Sequence, residues 1–253
     1  GLTLNSFSQF IIMNSCSLDN TDTDNNGIAD DCEPSRMDLK VILEGGFDNQ
    51  TGDMRTALSQ ENLLPLQQPY NVAPYNYNGT ETLSGMLPNM VDWVLVEARL
   101  NINTTSVIDR KAAVLLKDGS IRNVDGTSLL EMDLPPDDSY YIVIRHRNHL
   151  DIMSGNSLTR ARDMNFDFTT SMTQAYGSQQ MKMLPSGQYA MYTGDITQDL
   201  IIQLTDYDVW RQTPAILATY HLGDLTLDGV VQTTDYDAWF VNKSKLSPPQ
   251  LGY

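Results

Sequence analysis

The chain has 253 residues, of which 41% are hydrophobic, so it can form one large all-β domain or two modest domains with a packed core. Its 32 acidic residues outnumber 16 basic ones, and the net charge of −16 disfavours a nucleic-acid partner and an anionic membrane surface. The apolar run FIIM, residues 10–13, is far too short to span a bilayer, so we expect no membrane insertion.

Residues 1–15, GLTLNSFSQFIIMNS, are predicted to form an extended N-terminal arm. Their apolar residues alternate imperfectly, as in an irregular strand. An acidic turn follows at once, so the segment has no neighbour of its own with which to pair. It is either a strand of the main domain or an arm that pairs with a partner.

Residues 22–33, DTDNNGIADDCE, contain five carboxylates and no basic side chain. A twelve-residue calcium loop takes ligands from positions one, three, five, seven, nine and twelve, with Gly at position six for the sharp turn. Gly27 occupies position six here. The candidate ligands are Asp22, Asp24, Asn26, the Ile28 carbonyl, Asp30 and Glu33. The alternative is a solvated acidic turn without a metal.

Cys16 and Cys32 flank this acidic run and are the two cysteines of the chain. A pair with a short intervening loop suits a disulfide in an oxidising compartment, and two reduced cytosolic thiols are the alternative. We therefore interpret residues 16–36 as a calcium-binding linker closed by a disulfide.

Residues 37–193 are predicted to form an antiparallel β-sandwich of jelly-roll or immunoglobulin-like type. Strand patterns occur at residues 37–44, 91–100, 111–117, 120–124, 139–146 and 165–170. The dipeptides Asp118-Gly119 and Asp125-Gly126 are typical of hairpin turns between strands. Residues 45–89 are rich in Gly, Pro, Asn and Tyr, which favours long loops with short strands.

An internal repeat defines a small C-terminal module, residues 194–253. GDITQDLIIQLTDYDVW (194–210) and GDLTLDGVVQTTDYDAW (223–239) are identical at ten of seventeen positions. TDYD-x-W predicts a short helix after each loop, with Thr205 or Thr234 as the N-cap. Trp210 and Trp239 are then expected to pack the two helices together.

Each copy of the repeat has the spacing of a calcium loop. The second copy matches more fully, because it has Gly229 at position six where the first has Leu200, and Thr stands at position three in both. Gln203 and Gln232 occupy position nine. The candidate ligands are Asp195, Thr197, Asp199, the Ile201 carbonyl and Asp206 in the first loop, and Asp224, Thr226, Asp228, the Val230 carbonyl and Asp235 in the second. A degenerate loop held by water or hydrogen bonds is the alternative.

RHRNH, residues 145–149, is the basic cluster of the chain that contains histidines. It either binds an anion or a sugar acid, or ends a strand and pairs with nearby acids. The three histidines are not at zinc spacing, and no nucleophile elbow, phosphate loop or dinucleotide fingerprint is present. We therefore expect no enzyme, although a carboxylate pair for glycoside hydrolysis is compatible with so acidic a sequence.

Four N-x-Ser/Thr sequons suggest glycosylation if the chain is extracellular. They begin at Asn49, Asn78, Asn103 and Asn242. Separately, three tyrosines in the loop region, Tyr70, Tyr75 and Tyr77, are either a sugar-stacking surface or ordinary loop packing.

Three parts of the chain resemble known families. Residues 22–33 resemble the calcium repeats of thrombospondin type 3, and the C-terminal repeat resembles the duplicated calcium loop–helix unit of dockerins. The motifs VDWVLVEAR, KAAVLLKDGSIRNVDG and YYIVIRHRNHLDIMS resemble a domain that recurs in large secreted surface proteins of Bacteroidota. This last resemblance implies export and a cell-surface setting, and it implies no reaction.

Two functions follow as hypotheses. The first is an extracellular structural protein, a calcium-stabilised subunit of a cell-surface filament in which each N-terminal strand pairs with a neighbouring copy. The second is an adhesin or carbohydrate-binding module that recognises glycans, with a cohesin-type partner for the C-terminal module as a variant. A hydrolase has the least support.

Overall fold

The structure is a computed structural model that describes residues 21–22, 25–136, 138–213 and 215–253. The predicted arm, residues 1–15, lies outside the described residues, as do Asp24 and Cys16. Both the predicted disulfide and one ligand of the first acidic loop therefore stay predictions.

Thirteen strands and three α-helices form the described part of the chain. The strands are β1 (Ser35–Lys40), β2 (Met90–Arg99), β3 (Val107–Leu116), β4 (Ser120–Arg122), β5 (Leu130–Met132), β6 (Ser139–His146), β7 (His149–Met153), β8 (Leu158–Thr159), β9 (Asp163–Asp167), β10 (Lys182–Met183), β11 (Tyr189–Ala190), β12 (Ile216–Leu217) and β13 (Val230–Val231). The helices are α1 (Ala57–Gln60), α2 (Leu204–Gln212) and α3 (Thr233–Asn242). Short 3₁₀ turns occupy Asp30–Cys32, Glu44–Gly46, Thr104–Ser106, Phe168–Thr170, Met172–Gln174 and Pro249–Leu251.

Nine strands form one hydrogen-bonded sheet, with the order β5-β1-β4-β3-β2-β6-β7 and with β8 and β9 paired to β6 and β1. β9 runs parallel to β1 along its whole length, whereas β4 and β5 pair antiparallel with different parts of β1. Because a strand has two edges, β9 occupies one edge of β1, and β4 and β5 share the other. The fold is mainly β with antiparallel pairs, which confirms the predicted sandwich class.

The hairpin between β3 and β4 shows how local sequence sets the register. Gly119 has φ +89°, and a Cβ there would lie 2.7 Å from the Val41 carbonyl oxygen. The Asp118 carboxylate accepts the Ser120 N–H at 3.0 Å, which closes the turn. This is the hairpin that the Asp-Gly dipeptide predicts.

Three predicted strands end more than one residue earlier than expected, among them the strand predicted at 120–124, which ends at Arg122. The strand predicted at 37–44 ends at Lys40, and the strand predicted at 165–170 ends at Asp167. The Asp167 carboxylate accepts the Thr169 N–H at 2.8 Å, so the chain turns into a 3₁₀ segment instead of continuing extended.

All ten residues of β2 are buried, and the main apolar core forms around this strand. The loop region folds over it: the Tyr70 hydroxyl donates to the Trp93 carbonyl at 2.7 Å, and the Tyr75 hydroxyl donates to the His146 carbonyl at 2.9 Å. Tyr70 and Tyr75 are buried. Of the two interpretations of these tyrosines, ordinary loop packing therefore holds for Tyr70 and Tyr75, and a sugar-stacking surface does not.

The C-terminal module shares its core with the sandwich. One apolar cluster joins Leu150 of β7 to Ile202, Leu225 and Trp239 of the module. Burial across this boundary means that the two parts pack as neighbours, while the predicted domain boundaries stay predictions.

Within the described residues, no helix combines the length and apolar character that a membrane span requires.

Candidate metal centres

The described positions of the three acidic loops share left-handed backbone angles, although their sequences differ. In each loop, positions four and six have left-handed φ angles between +56° and +88°. These residues are Asn25 and Gly27, then Gln198 and Leu200, then Leu227 and Gly229. Left-handed φ is costly for most L-residues, so its recurrence at the same two positions indicates one loop type.

The carboxylate at position one organises each loop. One of its oxygens accepts the N–H of position five at 3.1 Å, and the other accepts the N–H of position six at 2.8–3.0 Å. The side-chain oxygen at position five then accepts the N–H of position seven at 2.9–3.1 Å. The residues at position one are Asp22, Asp195 and Asp224, and those at position five are Asn26, Asp199 and Asp228. The turn thereby gathers oxygen atoms on its inner side.

Position twelve closes the two C-terminal loops. One oxygen of Asp206 accepts the Thr197 N–H at 2.8 Å and its hydroxyl at 2.9 Å, and the other accepts the Gln203 N–H at 2.8 Å. Asp235 makes the same bonds with Thr226 and Gln232 in the second loop. Thr at position three is therefore compatible with the loop.

The helix N-caps differ from the prediction. α2 begins at Leu204 with Gln203 as its N-cap, and α3 begins at Thr233 with Gln232 as its N-cap. The predicted N-cap Thr205 and its counterpart Thr234 are therefore wrong. The reason is that the position-twelve Asp sits at N3 and accepts the N-cap N–H in a capping box, which starts each helix earlier.

The first C-terminal loop brings its carboxylates closest together. Asp195, Asp199 and Asp206 each place a carboxylate oxygen within 4.8 Å of the others. Among the described residues, no other group of three or more acidic, His or Cys side chains meets this spacing. The sequence favoured the second loop because of Gly229, but Leu200 adopts φ +70° at the same position and keeps the loop shape.

Burial gives these carboxylates a strong electrostatic penalty. Asp195, Asp206, Asp224 and Asp235 are at most 2% exposed. Burial and then the nearby charge of Asp206 raise the pKa of Asp195 well above its usual range. Burial also raises the pKa of Asp224 to about 7, against the opposing effect of Arg147. Buried acids without a counter-charge are costly, and a bound cation would remove this cost.

The donor set fits a hard divalent cation. Carboxylate, carbonyl and hydroxyl oxygens are the ligands that calcium prefers, and loops of this length supply six or more of them. In the second loop the candidate set is Asp224, Thr226, Asp228, the Val230 carbonyl and Asp235, which lie in the same order and conformation as the set of the first loop. Metal ligation at all these residues stays a prediction.

The N-terminal loop is more exposed and is fixed to the sandwich from outside. Arg160 donates to the carbonyls of Asp30 at 3.2 Å and Glu33 at 2.8 Å, and Arg162 forms an ion pair with Glu33. Glu33 also accepts the Asn26 side-chain N–H at 2.6 Å. Its carboxylate therefore already has one partner of opposite charge, the Arg162 guanidinium.

The two repeat helices pack through a reciprocal aromatic cluster. The Tyr207 ring of α2 stacks on the Trp239 ring of α3 at 5.2 Å between centroids, and Tyr236 of α3 lies 5.6 Å from Trp210 of α2. The two tryptophans thus join one cluster, as predicted, with each facing a tyrosine of the other helix. This packing holds the two loops beside each other.

RHRNH lies at the turn between β6 and β7 and is buried. Arg145 pairs with Glu97 at 2.9 Å and with Asp151, while Arg147 pairs with Asp92 at 2.8 Å. The interpretation that these bases serve nearby acids is confirmed. The signal was present in β2, since charged residues within an apolar strand need buried partners of opposite charge.

The same turn also connects to the module, which sequence reasoning missed. The Asn148 side chain donates to the carbonyls of Leu222 at 3.0 Å and Asp224 at 2.8 Å. Arg147 donates to the His221 carbonyl, and its guanidinium lies 4.3 Å from the centre of the Tyr220 ring. No local pattern in the sequence predicts these long-range hydrogen bonds.

Three of the four sequons are exposed in the structure: Asn49, Asn78 and Asn103. Asn242 is 1% exposed, and its amide donates to Glu44 at 2.6 Å and to the Thr193 carbonyl at 2.9 Å. Because a glycan needs that amide nitrogen and open space, the prediction for Asn242 is wrong for the folded protein.

Comparison with known proteins assigns no family. A scan against protein-family models found no match, and a search of curated proteins found none. Among solved structures, the chain is similar to a chain of an N-terminal interface mutant of a type II cohesin–X-dockerin complex from Acetivibrio cellulolyticus. That match has 20% identity and a TM-score of 0.38, and it covers 61% of this chain and 82% of the other.

A chain of the C-terminal interface mutant of the same type of complex gives 14% identity and a TM-score of 0.43, covering 84% of this chain and 97% of the other. TM-scores this low carry no argument about fold or function. The resemblances to thrombospondin type 3 repeats, dockerins and a Bacteroidota surface domain accordingly stay predictions.

Proposed function

We propose that this chain is an extracellular structural protein whose acidic loops bind calcium. In this proposal it is a subunit of a cell-surface filament, and the N-terminal arm of each copy adds a strand to a neighbouring copy. Its role is mechanical, with no reaction catalysed. The observation that carries the proposal is the first C-terminal loop, where Asp195, Asp199 and Asp206 place carboxylate oxygens within 4.8 Å of one another, and the other two loops repeat its left-handed φ angles.

Calcium would act at the joint between sandwich and module. Leu200 of the first loop packs with Val143, Met153 and Leu251 in a buried cluster that includes sandwich strands. In the second loop, the Asp224 carbonyl is held by Asn148 of the β6–β7 turn. A cation that fixes the two loops therefore also fixes the surfaces by which the module contacts the sandwich.

An extracellular setting suits loops of this kind, because calcium modules outside the cell bind with Kd of about 10⁻⁴–10⁻³ M. Ligand at about 100 times Kd stabilises a folded protein by about 2.7 kcal/mol per site. The net charge of −16 gives a further reason for a cation, since neutralising buried acids relieves repulsion.

The adhesin or carbohydrate-binding alternative loses its best residues, because Tyr70 and Tyr75 are buried. A glycan array in calcium still tests it directly. Binding of a defined glycan by a monomeric chain would favour that alternative over a filament.

Calcium binding is tested by calorimetric titration and thermal unfolding. We expect the melting temperature to rise with calcium and to fall in chelator. Asp206→Asn should weaken one site and lower the stability in calcium by about 1–3 kcal/mol, since it removes a ligand charge and a capping acceptor.

Asp208→Asn is the matched control, because Asp208 lies on the same helix but pairs with Arg211 at the surface. It should behave like the wild type. A melting temperature that calcium and chelator leave unchanged, together with no heat of binding, would overturn the calcium proposal. Assembly is tested by electron microscopy of the full chain in calcium, where only monodisperse monomers would contradict the filament.

A further inference from the structure

The N-terminal segment has an unusual composition for this chain. Residues 1–18 contain no charged side chain, although 19% of the whole sequence is charged. Residues 1–15 also contain no Pro and carry apolar residues such as Phe7, Phe10 and Ile12. A neutral strand-forming segment can approach an acidic surface without like-charge repulsion, and it has the composition of segments that pair with exposed sheet edges.

β9 offers such an edge. It pairs with β1 along one side only, and within the described residues no backbone hydrogen bond reaches its other side. Met164 is buried while Asn165 is exposed, so the strand has one face towards the core and one towards solvent. Alternate backbone N–H and C=O groups along this five-residue edge are available for an added strand.

The unpaired edges of β7 and of the first half of β3 already carry hydrogen bonds from other segments. On β7, the Leu150 N–H donates to the Tyr192 carbonyl at 2.8 Å, and the Met153 carbonyl accepts the Tyr176 N–H at 2.7 Å. On the first half of β3, the Arg110 carbonyl accepts the Tyr77 hydroxyl at 3.0 Å. These contacts leave β9 as the best acceptor in the part of the chain that is described.

The segment that leads into β1 lies next to the start of β9. Arg160 and Arg162 stand just before β9, and both contact the segment Asp30–Glu33 that leads into β1. Fifteen extended residues span about 50 Å, whereas pairing with a five-residue strand needs only about 17 Å. The extended length of the arm is therefore about three times the length of the strand edge that it would cover.

We propose that the outer edge of β9 accepts residues 1–15 of a second copy as an added strand. This inference rests on the proposed assembly function and names its acceptor surface. Main-chain hydrogen bonds supply the affinity, and the apolar side chains of the arm supply the contact with the sheet face. Reciprocal exchange between two copies closes a pair, whereas one-way donation continues into a filament.

Disulfide trapping between full-length chains tests the acceptor. In a Cys16→Ser, Cys32→Ser background, one chain carries Leu4→Cys, Phe7→Cys or Phe10→Cys, and a differently tagged chain carries Asn165→Cys. We expect oxidation of the mixture to give a cross-linked species that contains both tags. Glu131→Cys on β5 is the matched control, an exposed strand residue away from this edge, and it should give no such product.

Hydrogen exchange on the unmodified full chain supplies a second measurement that needs no substitution. Alternate amides of residues 163–167 already bond to β1, so the measurement concerns those that face the outer edge. We expect these outward-facing amides to gain protection as protein concentration rises and to lose it on dilution. Protection of the outward-facing amides that does not depend on concentration would mean that the arm pairs with its own β9, and this would overturn the proposal. Absence of both protection and cross-links would overturn it as well.

The two proposals can fail separately. Filaments that form without arm-to-β9 cross-links would leave the assembly function intact and remove this acceptor. Cross-linked pairs that never lengthen in electron micrographs would keep the acceptor and overturn the filament.

Discussion

Leu200 departs from the calcium-loop pattern at position six and still adopts the backbone conformation of the loop. Gly is favoured at position six because it adopts left-handed φ without steric cost, yet Leu200 has φ +70° there. Its side chain is buried against Val143, Met153 and Leu251. The packing offsets the backbone strain, so the residue acts both as a loop position and as an anchor to the sandwich.

Substitutions at Leu200 separate these two effects. Leu200→Ala keeps the strain and loses the packing, so we expect it to lower the free energy of unfolding by about 2–5 kcal/mol. Leu200→Gly relieves about 1 kcal/mol of strain and should be less destabilised than Leu200→Ala. Urea unfolding in saturating calcium measures both. A Leu200→Gly variant more stable than the wild type would show that the packing contributes little.

The turn between β6 and β7 is the element that connects most of the buried charge. Asp92 of β2 accepts hydrogen bonds from Arg147 at 2.8 Å and from the Tyr220 hydroxyl at 2.8 Å. Its carboxylate also lies 3.2 Å from the His146 ring nitrogen. Arg147 and His146 lower the pKa of Asp92 to about 2, despite the opposing effect of burial. An ionised Asp92 therefore stabilises the fold.

The pH dependence of this element follows from the direction of that shift. Because the folded pKa lies below the unfolded value of 3.8, the stabilisation is complete above about pH 4 and is lost as the pH falls towards 2. The full effect is about 2 kcal/mol. We expect the difference in unfolding free energy between wild type and Asp92→Asn to shrink over that range. A difference that is constant from pH 6 to pH 2 would contradict this assignment.

At the scale of the whole molecule, the module and the sandwich are joined by buried polar bonds as well as by apolar packing. Asn148 bonds to the second loop, and Asn242 of α3 bonds to Glu44 beside β1. Glu44 also pairs with Lys182, and burial raises its pKa. An unpaired buried polar group costs free energy. Each of these bonds therefore raises the free energy required to separate the module from the sandwich.

Asn148→Ala tests this joint. We expect the free energy of unfolding to fall by about 1–3 kcal/mol, because the buried Asp224 carbonyl and the partly buried Leu222 carbonyl lose their donor. Calcium affinity should fall more at the second loop than at the first, since the Asp224 carbonyl is one of those acceptors. Asn71→Ala, at an exposed loop residue, is the control. An equal loss of calcium affinity at both loops, measured by calorimetric titration, would show that Asn148 does not position the second loop.

Local chemistry explains what could be predicted. The alternation in β1, the Asp118-Gly119 turn and the repeated loop spacing each depend on residues that are near one another in sequence. The Thr N-caps were wrong because the competing capping box required knowing that Asp206 folds back towards Gln203. The sequence could not decide between loop packing and sugar stacking for Tyr70 and Tyr75, because burial depends on which strand a loop crosses.

The sequence by itself determined the β class, the three acidic loops and the duplicated module, because spacing and turn residues act over a dozen residues or fewer. Only the tertiary structure decided which carboxylates meet, that RHRNH is buried against Asp92, Glu97 and Asp151, and that within the described residues β9 pairs along one side only. Those features join residues far apart in the chain, and they depend on the burial and strand order that the complete fold creates.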